Sequence, residues 1–309
     1  MNPIALAIHG GCGVLPKSDL TEEEWAQART DLAVALRAGW SIIEGGGSAL
    51  DAVEAAVVVM EDSPHFNAGH GATLNEQGFH ELDASIMDGA SLAAGAVALA
   101  RHIRNPIRAA RAVMESGEVV FIGAEAADAF ARDHGLDMVE QAYFTTRRRV
   151  DALAAMKARV VAGTVGAATE AEKHGTVGAV ALDRHGHLAA ATSTGGFTNK
   201  AVGRIGDSPV IGAGTYARDG ACAVSGTGQG EFFIRHAVAH EMASRVAYLG
   251  ETVETAAAKI IHGDLAKYGI GAGLIAVGAD GSVTLPFNTP GMFRGWVTPD
   301  GQTHVATHK

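Results

Sequence analysis

The 309-residue chain is predicted to take an α+β fold, with mostly antiparallel sheets covered by helices. Three observations predict it. Helical and strand patterns occur in both halves of the chain. Hairpin signals concentrate after Thr176. The forty glycines, about twice the usual share, exceed what helices and strands absorb, so they must serve turns and close backbone approaches.

PIALAIHGG reads as a short buried strand ending in a glycine turn. From Thr21 a helix follows, with Thr21 as its cap, acids in the first turn and apolar residues at helical spacing until the glycines at 45–47. Ser48 caps a second helix, SALDAVEAAVVVMED. HELDASIMD and SLAAGAVALA read as adjacent strands, and Asn105-Pro106 opens a helix because proline suits the first helical turn. VVFIG is a strand, and EAADAFARDHG is a helix closed by Gly135. Residues 144–175 read as a helix fraying into an exposed, mobile linker, with Arg147, Arg148 and Arg149 solvating it. Beyond it TVGAVALD/LAAATSTGG, VIGAGTYA/ACAVSG and GLIAVG/SVTLPFN are three hairpins. GEFFIRHAVAHEMASRVAYLG and TVETAAAKIIHGDLAKYG are helices.

The bulk properties exclude several function classes. A net charge of −10 disfavours nucleic acid and anionic membrane as partners. No stretch reaches the ~18 apolar residues of a membrane helix, and the N-terminus has no signal-peptide pattern, so a cytoplasmic location is expected. Cys12 and Cys222 lack metal-ligand spacing and read as small buried apolar residues. His236 and His240 stand at a spacing that can bind zinc, but HExxH is absent and both read as helix histidines. His185 and His187 fall in a hairpin turn facing water.

The tetrapeptide GTVG occurs twice, at 163–166 and 175–178. Thr164 is followed by polar sequence and belongs to the linker. Thr176 opens an apolar run and so stands at the head of a buried strand. If the Gly175–Thr176 bond is cut, Thr176 gains a free α-amine able to act as base for its own hydroxyl. The amine's reference pKa of about 7.7–8.0 leaves it neutral near physiological pH. Gly-Thr at a strand start is common by itself, and the surrounding motifs carry the argument further.

IHGG at 8–11, FNAGHG at 66–71, ELDASIMDG at 81–89, HGTVGAVALD, ATSTGGFTNK, GRIGDSPVIGAGTYA, SGTGQGEFFIR and LPFNTPGMFRGW follow in order. Together they resemble the plant-type asparaginase/isoaspartyl aminopeptidase family of N-terminal-nucleophile hydrolases, over nearly the whole chain. The resemblance implies one four-layer αββα domain over 1–309. It implies autocleavage into an α chain (1–175) and a β chain (176–309), and a homodimer of such αβ units. It implies hydrolysis of L-asparagine and of β-aspartyl dipeptides, with no cofactor for catalysis.

Thr176 matches the nucleophile and Thr194 the threonine whose hydroxyl lies beside it. In the loop Arg204-Ile205-Gly206-Asp207, Arg204 can grip a substrate carboxylate bidentately and Asp207 can accept from its ammonium; a surface ion pair between the two is the plainer reading. The turn Thr227-Gly228-Gln229-Gly230 can aim N–H groups and the Thr227 hydroxyl at a developing oxyanion, with Gln229 on the leaving-group side. It has no P-loop lysine, so a nucleotide site is not expected. For the loop around Phe66, Asn67 and Ala68 the resemblance implies a structural sodium, with Asn67 near the nucleophile. Two features depart from the pattern or narrow it. Cys12 stands where alanine is common, and Gly175 precedes the threonine, which argues against a glycosylasparaginase-like amidase. A non-catalytic amino-acid-binding protein is the alternative from another class, and it would have no reason to be cut at Thr176.

Overall fold

The computed structural model describes residues 3–13, 21–164, 175–298 and 300–309. Strand β1 (Ala5–Cys12) leads to helices α1 (Glu22–Glu44) and α2 (Ala49–Asp62). The caps are those expected: the Thr21 hydroxyl accepts from Glu24 N while the Glu24 carboxylate accepts from Thr21 N, and Ser48 Oγ accepts from Asp51 N. β2 (Leu82–Asp88) and β3 (Ala94–Ala100) pair antiparallel. α3 (Pro106–Ser116) starts on its proline, β4 (Phe121–Gly123) adds parallel to β3, and α4 (Glu125–Asp133) stops ahead of Gly135 at φ +72°. A single turn, α5 (Gln141–Phe144), precedes α6 (Arg147–Val161).

Helix α6 corrects part of the linker reading. It is held to the body through buried Leu153 and Met156, and Phe144 just before it is fully buried. Only Arg147 serves the exposed face, paired with Asp151 at 2.9 Å. Arg148 donates to the carbonyls of Pro64 and His65, and buried Arg149 donates to that of Gly71. The arginine cluster therefore ties the 64–71 loop down rather than solvating a tether. Gly163, in the first GTVG, takes φ +68° and ends the helix, with Thr164 N donating to Arg159 O. The rest of that linker, 165–174, lies outside the described residues.

The second half supplies β5 (Val177–Leu182), β6 (Leu188–Thr194), β7 (Thr215–Ala217) and β8 (Cys222–Gly228). Helices α7 (Gly230–His236), α8 (Val238–Leu249) and α9 (Val253–Ala258) follow, then β9 (Ala272–Gly278), β10 (Val283–Thr284), β11 (Gly291–Val297) and β12 (Thr303–His308). All three expected hairpins form. The helix expected across 230–250 breaks at Ala237, φ +46°, because the first N–H groups of α8, on Ala239 and His240, bond the carbonyls of Ala213 and Gly212. Strands β11 and β12 were not anticipated: Arg294 and two glycines interrupt the apolar alternation of β11, which forms by pairing with β1.

Eight strands make one sheet, in the order β12-β11-β1-β5-β6-β2-β3-β4, and four make the other, β10-β9-β8-β7. Helices α1, α2 and α3 cover the outer face of the large sheet, on a core that includes Leu6, Ile8, Leu36, Val57 and Ile86. Helices α7, α8 and α9, with the π-helical segment Lys259–Leu265 that continues α9, cover the small sheet, packing Phe233, Met242 and Ile261 in one core with its Leu274. Between the sheets lie Ala7, Val180, Leu182, Ala190, Ala223 and Ile275. The result is the expected αββα sandwich.

One carboxyl group locks α2 to the sheet. Glu61 is fully buried; its Oε1 accepts from Ser193 Oγ on β6 at 2.6 Å and from Ile107 N at the head of α3 at 3.0 Å, while Oε2 has no partner. Burial pushes its pKa up to about 8. The folded protein thus holds a proton here that the unfolded chain has released above pH 4.5 or so, and the group's contribution to stability falls as pH rises from there to about 8. Urea denaturation across that range should show Glu61→Gln losing less stability with rising pH than wild type. Glu61→Ala should cost about 2–4 kcal/mol at the acid end of that range, since it strands the Ser193 and Ile107 donors and leaves a void, and the cost should shrink as pH rises toward 8.

Candidate active site

Alternation along the strands selects the residues that meet. In β5 the odd-numbered Val177, Ala179 and Ala181 face the helices, so Thr176 and Gly178 face the second sheet with Val180 and Leu182. In β6 the same parity turns Thr192 and Thr194 inward beside Leu188 and Ala190. The hairpin therefore sets the two predicted threonines side by side. Thr176 Oγ1 donates to Thr194 Oγ1 at 3.1 Å, and Gly196 N donates to the same Thr194 oxygen at 3.0 Å. Both threonines are buried, Thr176 at 7% exposure.

The Gly175–Thr176 bond lies against backbone. A Cβ on Gly11, at φ +104°, would stand 2.7 Å from Gly175 Cα and 3.3 Å from Thr176 N, so only glycine fits there. On its other side Gly175 packs against the side chain of Asn67. Asn67 is itself fixed: Nδ2 donates to Gly196 O at 2.6 Å, and Oδ1 accepts from Thr73 N at 2.8 Å. In the same loop the Pro64 and Phe66 carbonyls would lie 2.7 and 2.9 Å from a Cβ on Gly71, and the Glu61 carbonyl crowds Gly69 in the same way.

Thr227, at the end of β8, accepts from Cys12 N through Oγ1 at 3.2 Å, and Cys12 Sγ donates to its carbonyl at 3.2 Å. The Thr227 O–H is left to donate elsewhere. Gly228, at φ +142°, turns the chain against Gly271. A cleft lined by Thr176, Thr194, Gly196, Arg204, Gly206, Asp207, Ser208 and Gly228 opens here. Among the other predicted residues, Gly230 abuts both Asp207 and Arg204, and Gln229 stands at the head of α7. Ile205 turns outward, 38% exposed, and does not line the cleft.

Arg204 and Asp207 do not pair with each other. The Arg204 guanidinium lies over the Phe197 ring at 4.4 Å and gives its Nε and Nη2 to one oxygen of Glu231, at 3.0 and 2.9 Å. That leaves the Nη1 edge, which a Cβ on Gly206 would touch at 2.8 Å. The Asp207 carboxyl is buried among Gly214, Gly226 and Gly230, with Oδ2 unpartnered.

The asparaginase family model matches residues 1–307. The chain is 44% identical to the isoaspartyl peptidases of Salmonella typhimurium and Escherichia coli, covering 96% of this chain and 96% and 93% of theirs. It is 39% identical to the probable isoaspartyl peptidase/L-asparaginase 2 of Arabidopsis thaliana, over 98% of both chains. The chain belongs to the asparaginase family.

Around the site of this asparaginase-family chain, burial sets the protonation states. Asp207 is pushed up to about 7 by loss of water, against the pull of its own backbone N–H and of Arg204. Lys200, fully buried, donates to Glu81 O at 2.9 Å and crowds Gly196; burial lowers its pKa, while it raises that of nearby Asp83. Sequence reasoning singled out none of Glu231, Lys200, Ser208 or His9 as site residues, although HGG and TNK stand in the quoted motifs. His236 bonds the Tyr268 hydroxyl, and the break at Ala237 separates it from His240's helix. Among the described residues no group of three or more His, Cys, Asp or Glu could hold a metal ion, and no helix is long and apolar enough to cross a membrane.

Only ionised Asp207 can hold an ammonium, so binding of an α-amino substrate should strengthen as pH rises through about 7. The profile of kcat/KM from about pH 5.5 to about 8.5 should carry this limb, and Asp207→Asn should lose it along with most of the affinity. An unchanged limb in Asp207→Asn would remove the carboxyl from substrate recognition.

Proposed function

We propose that the protein is a threonine hydrolase that releases ammonia from L-asparagine and cleaves β-aspartyl dipeptides after cutting itself at Gly175–Thr176. The observation that carries this reading is the buried Thr176–Thr194 hydroxyl pair at 3.1 Å, beside a Gly-Thr bond pressed onto Gly11 and Asn67. The names of the relatives, isoaspartyl peptidase and isoaspartyl peptidase/L-asparaginase, supply the substrate class.

In self-cleavage Thr176 Oγ1 adds to the Gly175 carbonyl, the amide nitrogen leaves as the Thr176 α-amine, and water hydrolyses the ester. In turnover that amine takes the Oγ1 proton while the oxygen attacks the substrate's side-chain carbonyl. The Thr227 hydroxyl and the Gly228 N–H stabilise the oxyanion. The leaving amine departs with a proton, and water releases aspartate from Thr176. Arg204 holds the α-carboxylate through the edge that Glu231 leaves free, and Asp207 holds the α-ammonium. A sodium ion, if bound by the carbonyls that converge near Gly69 and Gly71, would stiffen the loop carrying Asn67 and take no part in the chemistry. From the resemblance we also take a homodimer of αβ units. A cytoplasmic setting suits two buried free thiols.

Mass spectrometry and N-terminal sequencing should find a fragment beginning at Thr176. Thr176→Ala should stay whole and inactive, and Thr164→Ala, at the exposed end of α6, should behave as wild type. A fragment beginning at Thr164 would overturn the assignment. Arg204→Ala should lose on the order of 2–5 kcal/mol of kcat/KM on β-aspartyl-leucine yet still cleave itself, because self-cleavage uses no substrate carboxylate. Wild-type turnover in that variant would return Arg204 to a surface role.

A further inference from the structure

Two adjacent glycines hold the second threonine of the site. Beyond Thr194 the chain turns through Gly195 and Gly196, and each of their backbone polar groups is bonded. Gly195 N donates to Asn67 O at 3.1 Å, and Gly195 O accepts from Thr73 Oγ1 at 3.1 Å. Gly196 O accepts from Asn67 Nδ2 at 2.6 Å, and Gly196 N donates to Thr194 Oγ1 at 3.0 Å. Backbone N–H groups only donate and carbonyls only accept, and Thr73 N on Asn67 Oδ1 fixes which end of that amide is which, so every direction here is settled. The Gly196 bond bears on the chemistry, because the oxygen it holds lies 3.1 Å from that of Thr176.

Packing holds the turn as closely as bonding does. A Cβ on Gly195 would meet Asn67 Oδ1 at 2.7 Å and Thr73 N at 2.8 Å, so this residue lies on the 67–73 loop. Gly196, at φ +85°, lies on Lys200: a Cβ there would meet the lysine's Cδ at 2.7 Å, Nζ at 3.0 Å and Cε at 3.3 Å. Lys200 is fully buried, a costly place for an ammonium and four methylenes to be ordered. Its backbone is anchored at both ends: Lys200 N donates to Phe197 O at 3.1 Å, and Lys200 O accepts from Glu76 N at 2.9 Å. Its ammonium donates to the Glu81 carbonyl at 2.9 Å, just ahead of β2, whose Asp83 is the register partner of Thr194. Asp83 and Glu81 supply opposite charge nearby, but their carboxylates bond Leu99 N, Arg101 and Gly203 N, and Asp83 Oδ2 closes no hydrogen bond. The lysine is thus drawn out along the turn, between its own backbone anchors and the Glu81 carbonyl.

We propose that Lys200 is a positioning residue for Thr194. Its methylene stem backs Gly196, so that the Gly196 N–H stays aimed at Thr194 Oγ1 and that hydroxyl stays on Thr176. The ammonium keeps the stem extended by holding the Glu81 carbonyl. Lys200 does not line the cleft, so it acts through the turn and not on the substrate. Every residue of this arrangement lies outside the Gly175–Thr176 bond, so it serves both self-cleavage and turnover. The inference rests on the reading of Thr176 as nucleophile with Thr194 beside it.

The test has two arms. Lys200→Ala removes the stem, and should slow self-cleavage and lower kcat roughly tenfold, with KM on β-aspartyl-leucine within about twofold of wild type. Lys200→Met keeps a stem and loses the ammonium, and should recover most of that loss, to within about threefold of wild type. Wild-type cleavage and kcat in a folded Lys200→Ala protein would overturn the proposal, as would a loss confined to KM or a Lys200→Met protein as impaired as Lys200→Ala. In the second arm, hydrogen exchange read by NMR should find the Gly196 amide as protected as those of β6 in wild type and in Lys200→Met, and at least about tenfold faster to exchange in Lys200→Ala. Should Lys200→Ala fail to fold, the Gly196 amide still decides: free exchange in wild type or in Lys200→Met would show that the stem does not hold the turn. Failure of the functional reading would look different: wild-type protein would then neither cut itself nor hydrolyse the dipeptide, whatever the state of the Gly196 amide.

Discussion

The face shared by the two sheets is apolar along part of its length and lined with hydroxyls elsewhere. In the apolar part Ala7, Val180, Leu182, Ala190, Ala223 and Ile275 close the sandwich. On the same strands and in the same parity, the next inward positions are His9, Thr176, Thr192, Thr194, Ser225 and Thr227. A one-residue slip in any of these strands would turn its hydroxyls toward the helices and its apolar residues into the site. The apolar part, which contributes most to stability, thereby enforces the register that the polar part needs. Buried hydroxyls of this kind are tolerable only when bonded, and they bond one another across both sheets.

Glycine is the second structural requirement. Gly11 lets β1 lie against the Gly175–Thr176 bond, Gly178 admits the His9 ring, and Gly214 and Gly230 shape the recess of the Asp207 carboxyl. At each of these positions a Cβ would strike backbone or a buried polar side chain. The high glycine content of the chain is thus explained in part by close approach around one site rather than by loose turns.

Buried ionisable groups surround the hydroxyls, and loss of water governs them. It raises Glu61 to about 8 and Asp207 to about 7, and it lowers His9 to about 3. Neutral Glu61 and neutral His9 brace the sandwich without placing uncompensated charge in it. Asp207 is different, because it lines the cleft and one oxygen of its buried carboxyl has no partner. Arg204, by contrast, is pre-ordered: the Phe197 ring and the Glu231 carboxylate fix the plane of its guanidinium.

Local pattern alone was enough for the helix caps at Thr21 and Ser48, the proline start of α3, the three hairpins and the place of Thr176 at the head of a buried strand. These follow from hydrogen-bonding and periodicity within about twenty residues, and the eighteen residues from Thr176 to Thr194 form one hairpin. Contacts between distant segments were not legible. β11 forms only because β1 offers it an edge, and the helix after β8 breaks at Ala237 because Gly212 and Ala213 present carbonyls to its second half. Arg148 and Arg149 look solvent-bound in sequence, yet they hold a loop some eighty residues earlier. Glu231 and His9 acquire their partners only when folding brings Arg204 and Ser225 to them, across 27 and 216 residues of chain. Periodicity tells which face a side chain takes; what stands opposite that face is decided by packing.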